Sequence, residues 1–577
     1  MSSPVEQLNR RFAEALMQAF GADAEGVDPL IGPAQNPRFG DYQANVSMPL
    51  AKKLSRPPRE VAGAIVEHLD LEPIGRPQIA GPGFINIRLN EPYLAQATAQ
   101  MLADERLGVL QAPQPEKVVI DYSSPNVAKE MHVGHLRSSV IGDALVAVLD
   151  FLGHGVIRQN HLGDWGTQFG MLIEHMIDRG LDEAGIADLN AFYQEAKRRD
   201  DQDEDFARRA RQRVVALQAG DEQTLELWRR LIAQSRDHFN QVYRLLGIGL
   251  QDADICGESF YNDQLESVVS DLLEANVATR TEGAVGVFVP GFENKEGRPV
   301  PLIVRKSDGG FGYAATDLAG IRYRTQKLGA TRLAYVVDAR QTDHFKQVFW
   351  VAEQMGWLGP DARAEHVRFG MVLGPDRKPF RTREGGTVRL IDLLREAEQR
   401  AGELLASKNP DLDPSQRRQV ARAVGIGAVK YADLSSDRIK DYVFEWDRML
   451  AMEGNTAPYL QNAHVRVCGI FRKAGVDRTS IRGHPLQLDH PQEHALALCL
   501  LRFEESVQAV ARTLEPHRLC SHLYELASEF HRFFEQCPVL RAETEQMKQS
   551  RLALCDGVGR VLARGLTLLG VEPIERM

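Results

Sequence analysis

Two histidines bracket a glycine in His132-Val-Gly-His135, and Lys129 stands three residues upstream. An ammonium supplies charge, imidazole N–H groups donate to phosphate oxygens, and a glycine lets a flat ligand approach the backbone closely. The stretch before them, Val118-Val-Ile-Asp-Tyr-Ser-Ser-Pro-Asn126, begins as an apolar β-branched run suited to a buried strand and passes into turn chemistry. A helical pattern opens at or just after His132–His135. Strand, loop and helix in this order place unpaired backbone N–H groups and the positive end of a helix dipole at one mouth, where phosphate is stabilised. The chemistry predicted is nucleotide binding. Neither G-x-x-x-x-G-K-[ST] nor G-x-G-x-x-G after a strand occurs, so the two commonest nucleotide fingerprints are absent. Taken alone, the histidine pair also fits a helix cap with satisfied imidazoles. The longer combination, with Ser-Ser-Pro-Asn before it and Gly163-Asp-Trp-Gly166 at the end of the next strand, favours the nucleotide.

The positioning elements follow from periodicity. After the helix that ends near Phe151, Gly155-Val-Ile-Arg-Gln-Asn160 reads as a second short strand and Gly163–Gly166 turns into another helix. This is the β-α-β-α order of a parallel sheet. Residues 184–244 are heavily charged and helical, which predicts an insertion packed on the sheet. Val285 to Arg305 alternates as a hairpin, Leu333-Ala-Tyr-Val-Val337 is a buried-strand run, and His344 to Met355 a helix. From Leu390 onward the pattern is helical almost throughout. At the other end, Val5, Leu8, Phe12, Leu16 and Met17 recur at helical spacing before Gly21. Asn36–Gln43 is a turn-rich loop, Arg59–Leu69 a helix, and Gly81-Pro-Gly-Phe-Ile-Asn-Ile-Arg-Leu89 a turn entering an alternating strand. Gln111-Ala-Pro-Gln-Pro-Glu116 has linker composition.

The 577 residues predict about three to five domains. The expected divisions are an α+β module over 1–112, a Rossmann-like α/β domain over 113–395 and a helical domain over 396–577. A hydrophobic fraction of 43% and a charged fraction of 26% suit globular domains with buried cores. The net charge of -10 argues against a protein that coats nucleic acid nonspecifically and leaves room for local basic surfaces. Six cysteines without a C-x-x-C pair disfavour a thiolate zinc site or a disulfide framework, so no zinc and reduced, mostly buried thiols are expected. No basic-then-apolar leader opens the sequence and no apolar run nears the roughly 20 residues of a membrane span, so a cytosolic chain without membrane contact is expected.

Four segments carry a resemblance that extends over essentially the whole chain. They are S-S-P-N-V-A-K-E-M-H-V-G-H-L-R-S-S from Ser123, N-H-L-G-D-W-G-T-Q-F-G from Asn160, Y-A-D-L-S-S-D-R from Tyr431 and E-G-N-T-A-P-Y from Glu453. The chain resembles the class I aminoacyl-tRNA synthetases, and among them the arginyl enzymes. The resemblance implies activation of L-arginine with ATP and transfer to the 2′-hydroxyl of the terminal adenosine of arginine tRNA, with Mg²⁺ escorting the pyrophosphate, by a monomer.

Guanidinium is planar, always charged and rich in donors, so its site needs carboxylates and neutral acceptors. Asp121 and Asn126 at the strand end, Tyr313 and Asp317 at helical spacing, and Gln341 after the Leu333–Val337 strand have that polarity, and the resemblance makes them the arginine site. An isolated Asp or Gln more often caps a helix or sits in a solvated loop; the five together favour the ligand. Lys129, His132, Gly134 and His135 are assigned to catalysis, the two histidines to ATP. A mobile K-M-S-K-S loop normally holds the leaving phosphates in this class. The matching segment here, Gly374 to Gly386, departs from it and offers Lys378, Arg381 and Arg383, which makes Lys129 the compensating cation.

For tRNA, the resemblance places Phe84 to stack on a splayed D-loop base and Asn86 to read its edge; a core Phe and a turn Asn are the plainer alternatives. Tyr459, the Asp447–Asn455 loop, Phe534 and Met577 are the corresponding candidates at the anticodon end, with Asn462 where the family often has a second aromatic. A cysteine-specific relative would want metal-spaced thiolates, and a glutamate-specific one cations in place of Asp121 and Asp317. A non-catalytic RNA-binding paralogue predicts loss of Lys129 or the histidines, and all are present.

Overall fold

The β-branched run at 118–120 is the middle of the strand Lys117–Asp121, which lies inside a four-stranded parallel sheet. The order across the sheet is Arg363–His366, Arg332–Tyr335, Lys117–Asp121, Gly155–Gln159. A computed structural model describes residues 3–34, 36–180, 188–380, 388–409 and 412–577. The helix Val133–Phe151 carries the chain from the central strand to one side, and Thr342–Gln354 carries it from Arg332–Tyr335 to the other. The direction of winding therefore reverses between Lys117–Asp121 and Arg332–Tyr335, and a crevice opens beyond their carboxyl ends. Register brings Tyr335, Asp121 and Gln159 abreast at that edge.

Beyond the helix Gln168–Arg179, the predicted insertion consists of the helices Leu189–Gln202, Glu204–Gln218 and Glu222–Leu246; its residues 184–187 lie outside the described ones. The longest of the three buries Leu227, Leu231, Ser235, Phe239 and Val242 along one face, as an amphipathic helix packed on a domain must. The expected hairpin proves to be a three-stranded antiparallel sheet. Ala284–Val287 pairs with Leu302–Arg305 through a bulge at Val285/Gly286, and Thr279–Thr281 adds an edge. Val285, Val287 and Val304 pack with Leu318, Leu333 and Val348 in one core, which fixes the helix Tyr313–Arg322 against the parallel sheet.

The helices Leu390–Lys408 and Pro414–Leu434 belong to this same compact unit, Ala112–Leu450 with Leu568–Val571. The expected boundary at 395 falls within the first of them. The second is tied down by a buried ion pair, Arg137 Nε to Asp433 Oδ2 at 3.1 Å, with Arg137 only 1% exposed. Among the described residues one strand interrupts the helical pattern: Tyr442–Val443 pairs in parallel with Val372–Leu373.

The other unit joins Met1–Gln111 to Ala451–Thr567 and Glu572–Met577. Its first helix, Pro4–Phe20, is capped by Ser3, whose Oγ accepts from Glu6 N, and ends at Gly21, whose positive φ of 55° a side chain would rarely allow. An antiparallel sheet in the order Ile31–Pro33, Tyr42–Ala44, Phe84–Leu89, Gly75–Ala80 follows. Its partners are helices far along the chain: Asp41 pairs with His494 at 3.1 Å, and Tyr42 Oη donates to Glu505 at 2.8 Å. All six cysteines are free and buried. The architecture is multidomain α/β, with a parallel-sheet domain, an α+β N-terminal module and, from Ala451 on, a C-terminal part whose described elements are all helices.

Candidate active site

His132 and His135 cap the helix Val133–Phe151 reciprocally. His132 Nδ1 accepts from Gly134 N at 3.0 Å, and His135 Nδ1 accepts from His132 N at 3.1 Å. Both imidazoles are thus held as the tautomer with hydrogen on Nε2. Burial pushes His135 down to about 3, with His132 and Lys129 adding to it; burial, Lys129 and Arg340 lower His132. The rings, 4.1 Å apart between centroids, are neutral donors at a helix N-terminus. The plain reading, a satisfied cap, and the functional one hold together, because capping uses Nδ1 and leaves Nε2–H.

A Cβ on Gly134 would come within 2.7 Å of His132 Cε1 and 2.9 Å of its Nδ1. Gly134→Ala is therefore expected to swing the His132 ring off its cap and lower kcat/KM for ATP in pyrophosphate exchange by about tenfold, with the KM for arginine held. Measuring exchange against ATP concentration checks this.

Between Asp121 and Val133 the backbone has no helix or strand of its own, and Ser123, Ser124 and Ala128 take positive φ of 72°, 46° and 63°. Such strain persists only where the surroundings impose it. Here Ser123 N donates to Ser138 Oγ at 2.8 Å, Ser124 N to Asn160 Oδ1 at 3.0 Å, Ala128 N to Ser235 Oγ at 2.9 Å and Glu130 N to Asn190 Oδ1 at 3.2 Å. Exposed Asn126 bridges to Gly163, where a Cβ would fall 2.3 Å from Asn126 Oδ1. Lys129 projects so that Nζ lies 4.4 Å from the ring centre of Tyr193.

Opposite charge collects at the sheet edge. Asp317 Oδ2 lies 2.6 Å from His344 Nε2, a partner that raises the histidine's pKa despite burial. Tyr313, one helical turn before Asp317, is 73% exposed. It lines a cavity of about 670 Å³ together with Glu258, Trp165, Tyr193 and Thr316. The sequence reading missed Glu258. Burial, then Asp164 and Asp317, push its carboxyl up to about 8, so three acidic groups crowd this end of the crevice. Gln341, exposed, ends a single 3-10 turn just before Thr342–Gln354. Asp121 is placed differently from its neighbours. Its Oδ2 takes Arg324 Nη2 at 2.6 Å and its Oδ1 takes Ser124 Oγ at 3.1 Å, and the residue is 5% exposed. Arg324 sits in the π-helical turn Tyr323–Lys327 and also donates through Nε to Gln159 Oε1 at 2.6 Å.

Lys378 is exposed on a tight turn closed by Gly374 N to Lys378 O at 2.8 Å, with Arg377 at φ 59°. Arg381 and Arg383 lie outside the described residues. In the other unit, Phe84 is half-buried, whereas Asn86 is 4% exposed and its Oδ1 accepts from Gln43 Nε2 at 2.8 Å. Tyr459 stacks on His531 at 5.1 Å and 18° and also meets Tyr524. Arg466 joins this group, 2.9 Å from His531 Nδ1 and 5.6 Å from the ring centre of Phe534. Met577 is half-buried at the end of the chain. His531, Tyr524 and Arg466 gave no sign in the sequence, since aromatics on amphipathic helices most often serve a core.

Residues 97–446 match the family described as tRNA synthetases class I (R), catalytic domain. Residues 460–577 match the DALR anticodon binding domain, and 6–89 the arginyl tRNA synthetase N terminal domain. An arginine–tRNA ligase of Thermobifida fusca is 53% identical over 582 residues, covering 100% of both chains; one from Alteromonas mediterranea is 51% identical, covering 99% of both. Among solved structures, arginyl-tRNA synthetase from Plasmodium falciparum superposes with a TM-score of 0.87 at 30% identity over 100% of both chains. The Thermus thermophilus enzyme does so with a TM-score of 0.82 at 26% identity, over 99% of this chain and 100% of that one. The chain belongs to the arginyl-tRNA synthetase family of class I.

Proposed function

We propose that the chain activates L-arginine with ATP to arginyl-adenylate and transfers the arginyl group to the 3′-terminal adenosine of arginine tRNA. What supports the site assignment is that an acidic cluster, Glu258 with Asp164 and Asp317, and a donor group, His132 and His135 at a helix N-terminus, both belong to the parallel-sheet unit. At the acidic end, Glu258 is costly to ionise beside Asp164 and Asp317, and an incoming guanidinium relieves that cost. Asp317 and Tyr313 then hold the guanidinium with Glu258, Asn126 and Gln341 orient the amino-acid backbone, and Asp121 supports them through Arg324 and Ser124. At the donor end the arginine carboxylate attacks the α-phosphate in line and pyrophosphate leaves. The Nε2–H groups of His132 and His135 stabilise phosphate oxygens, and Lys129 carries the cationic charge that the transition state draws on. Lys378, Arg381 and Arg383 attend the leaving phosphates.

Mg²⁺ enters with ATP, held by the nucleotide's own phosphates; among the described residues no group of three or more His, Cys, Asp or Glu is placed to hold a metal ion. Zinc has no step in this scheme. The domain division of labour gives tRNA to the outer modules, Phe84 and Asn86 in residues 1–112 and Tyr459, Phe534 and Met577 in 396–577. The stacking of Tyr459 on His531 supports the second of these by supplying an aromatic platform where Asn462 stands in place of a ring. The reading includes a monomer working in the cytosol. No described helix is long and apolar enough to cross a membrane.

The test is arginine-dependent ATP–pyrophosphate exchange, run with and without arginine tRNA. Asp317→Asn is expected to raise the KM for arginine about 10- to 100-fold and leave that for ATP within about twofold. An unchanged arginine KM removes Asp317 from the site, and no exchange in either condition would replace the catalytic reading with an RNA-binding one.

A further inference from the structure

We propose that Tyr193, on the first helix of the insertion, is a positioning residue for the reaction: its ring holds the Lys129 ammonium ready for the leaving phosphates without neutralising it. This rests on the assignment of Lys129 given above. The helix Leu189–Gln202 faces the catalytic loop with Asn190 and Tyr193, three residues apart and so on one face. Asn190 binds Glu130 twice, accepting from its backbone N at 3.2 Å and donating through Nδ2 to Oε2 at 3.0 Å; Arg389 adds a contact to the same carboxylate at 3.6 Å. Tyr193 takes Lys129 at 4.4 Å. One helix face thus takes two adjacent side chains of opposite charge to separate partners.

The choice of an aromatic ring has a physical reason. A carboxylate under Lys129 would form an ion pair, and incoming phosphate would have to break it. A ring quadrupole attracts the ammonium more weakly and leaves its charge whole. It restricts the rotamers of a four-carbon stem before ATP arrives, so less ordering remains for the bound state. Tyr193 also lines the cavity that contains Tyr313 and Glu258, so the ring stands at the crevice itself. The loop it steadies carries Ala128 at positive φ, a conformation that needs support from outside.

The experiment uses the full chain in ATP–pyrophosphate exchange, with Tyr193→Leu, Tyr193→Phe, Lys129→Ala and the Tyr193→Leu/Lys129→Ala double variant. Tyr193→Leu is expected to lower kcat/KM for ATP about five- to thirtyfold with the arginine KM unchanged. Tyr193→Phe keeps the ring and recovers most of that loss. In the Lys129→Ala background, Tyr193→Leu adds little, since the group it positions is gone. Tyr193→Leu with full ATP kcat/KM overturns the proposal, and so does an undiminished loss in the double variant, which would mark a general structural role. Near-normal exchange by Lys129→Ala instead overturns the assignment of Lys129 itself, and the role of Tyr193 falls with it.

Discussion

Lys129→Ala lowers arginine-dependent ATP–pyrophosphate exchange by about 10²- to 10³-fold, mostly in kcat, while the thermal midpoint stays close to that of the parent. The size of the effect follows from the protonation of its neighbours. Both histidines are neutral, His135 held at about 3 by burial, and His132 lowered by burial with Lys129 and Arg340. They donate hydrogen bonds and contribute no full charge. Arg340 is engaged by Asp338 at 2.9 Å, and Lys378 lies on an exposed turn. The cation of the loop before the helix is therefore Lys129, and the proposed mechanism assigns to it most of the charge that steadies the transition state. Stability is spared because the side chain is half-buried and its contact with Tyr193 is the weak kind that surface cations make. Exchange within about fivefold of the parent would place the charge elsewhere, and the Gly374–Gly386 segment would be the first place to look.

The second large effect is on the fold. Asp121→Ala strands the Arg324 guanidinium, which is 2% exposed, and costs about 3–5 kcal/mol of stability. Arg324 spans three adjacent strand ends: it bonds Asp121 and Gln159 and lies 4.9 Å from the ring centre of Tyr335. Gln159 and the ring remain after the substitution, but neither is an anion. The double variant Asp121→Ala/Arg324→Met, which removes both charges, is expected to recover most of the loss. Urea midpoints followed by tryptophan fluorescence distinguish the two, and a fall of under about 1 kcal/mol in the single variant would show that the pair does not brace the sheet edge. Any change in arginine KM for Asp121→Ala is then to be read beside this loss of support.

The stretch from Val118 to Phe151 was legible because its signals are local. A β-branched run, a Ser-Ser-Pro-Asn turn and a helical period succeed one another within one segment, and the chirality of the crossover does the rest. The acidic end was legible only in part. Tyr313 and Asp317 share a helix face and could be read together, whereas Glu258 is a lone acid in a 3-10 turn. Nothing local marks it: the tight fit of its neighbour Gly257, where a Cβ would meet the Asp164 carboxylate at 2.4 Å, appears only in the folded chain. Arg324 could not be assigned to Asp121 at all, because the contact joins residues 203 apart through a π-helical turn that has no simple period. Asn190 and Tyr193 were hidden in a charged helical segment whose packing on the sheet was legible but whose inward side chains were not. The helices Leu390–Lys408 and Pro414–Leu434 have the same amphipathic signature as those further on, and only tertiary contacts such as Arg137 with Asp433 show which core they serve. The edge strand Thr279–Thr281 is too short for alternation to register.

One unit of this protein is assembled from the two ends of the chain, with Ala112–Leu450 threaded between them. On a ribosome the sheet bearing Asp41 and Tyr42 emerges first, while His494 and Glu505, which those side chains contact in the finished fold, are still untranslated. At elongation rates of about 5–20 residues per second the delay is on the order of tens of seconds. The parallel-sheet unit, by contrast, lacks only the short Leu568–Val571 segment once Leu450 is made, which at that rate is about 2–11 s before His494 and Glu505 follow. The order of birth is thus the reverse of the order of completion: the sheet made before the parallel-sheet unit is sealed after it.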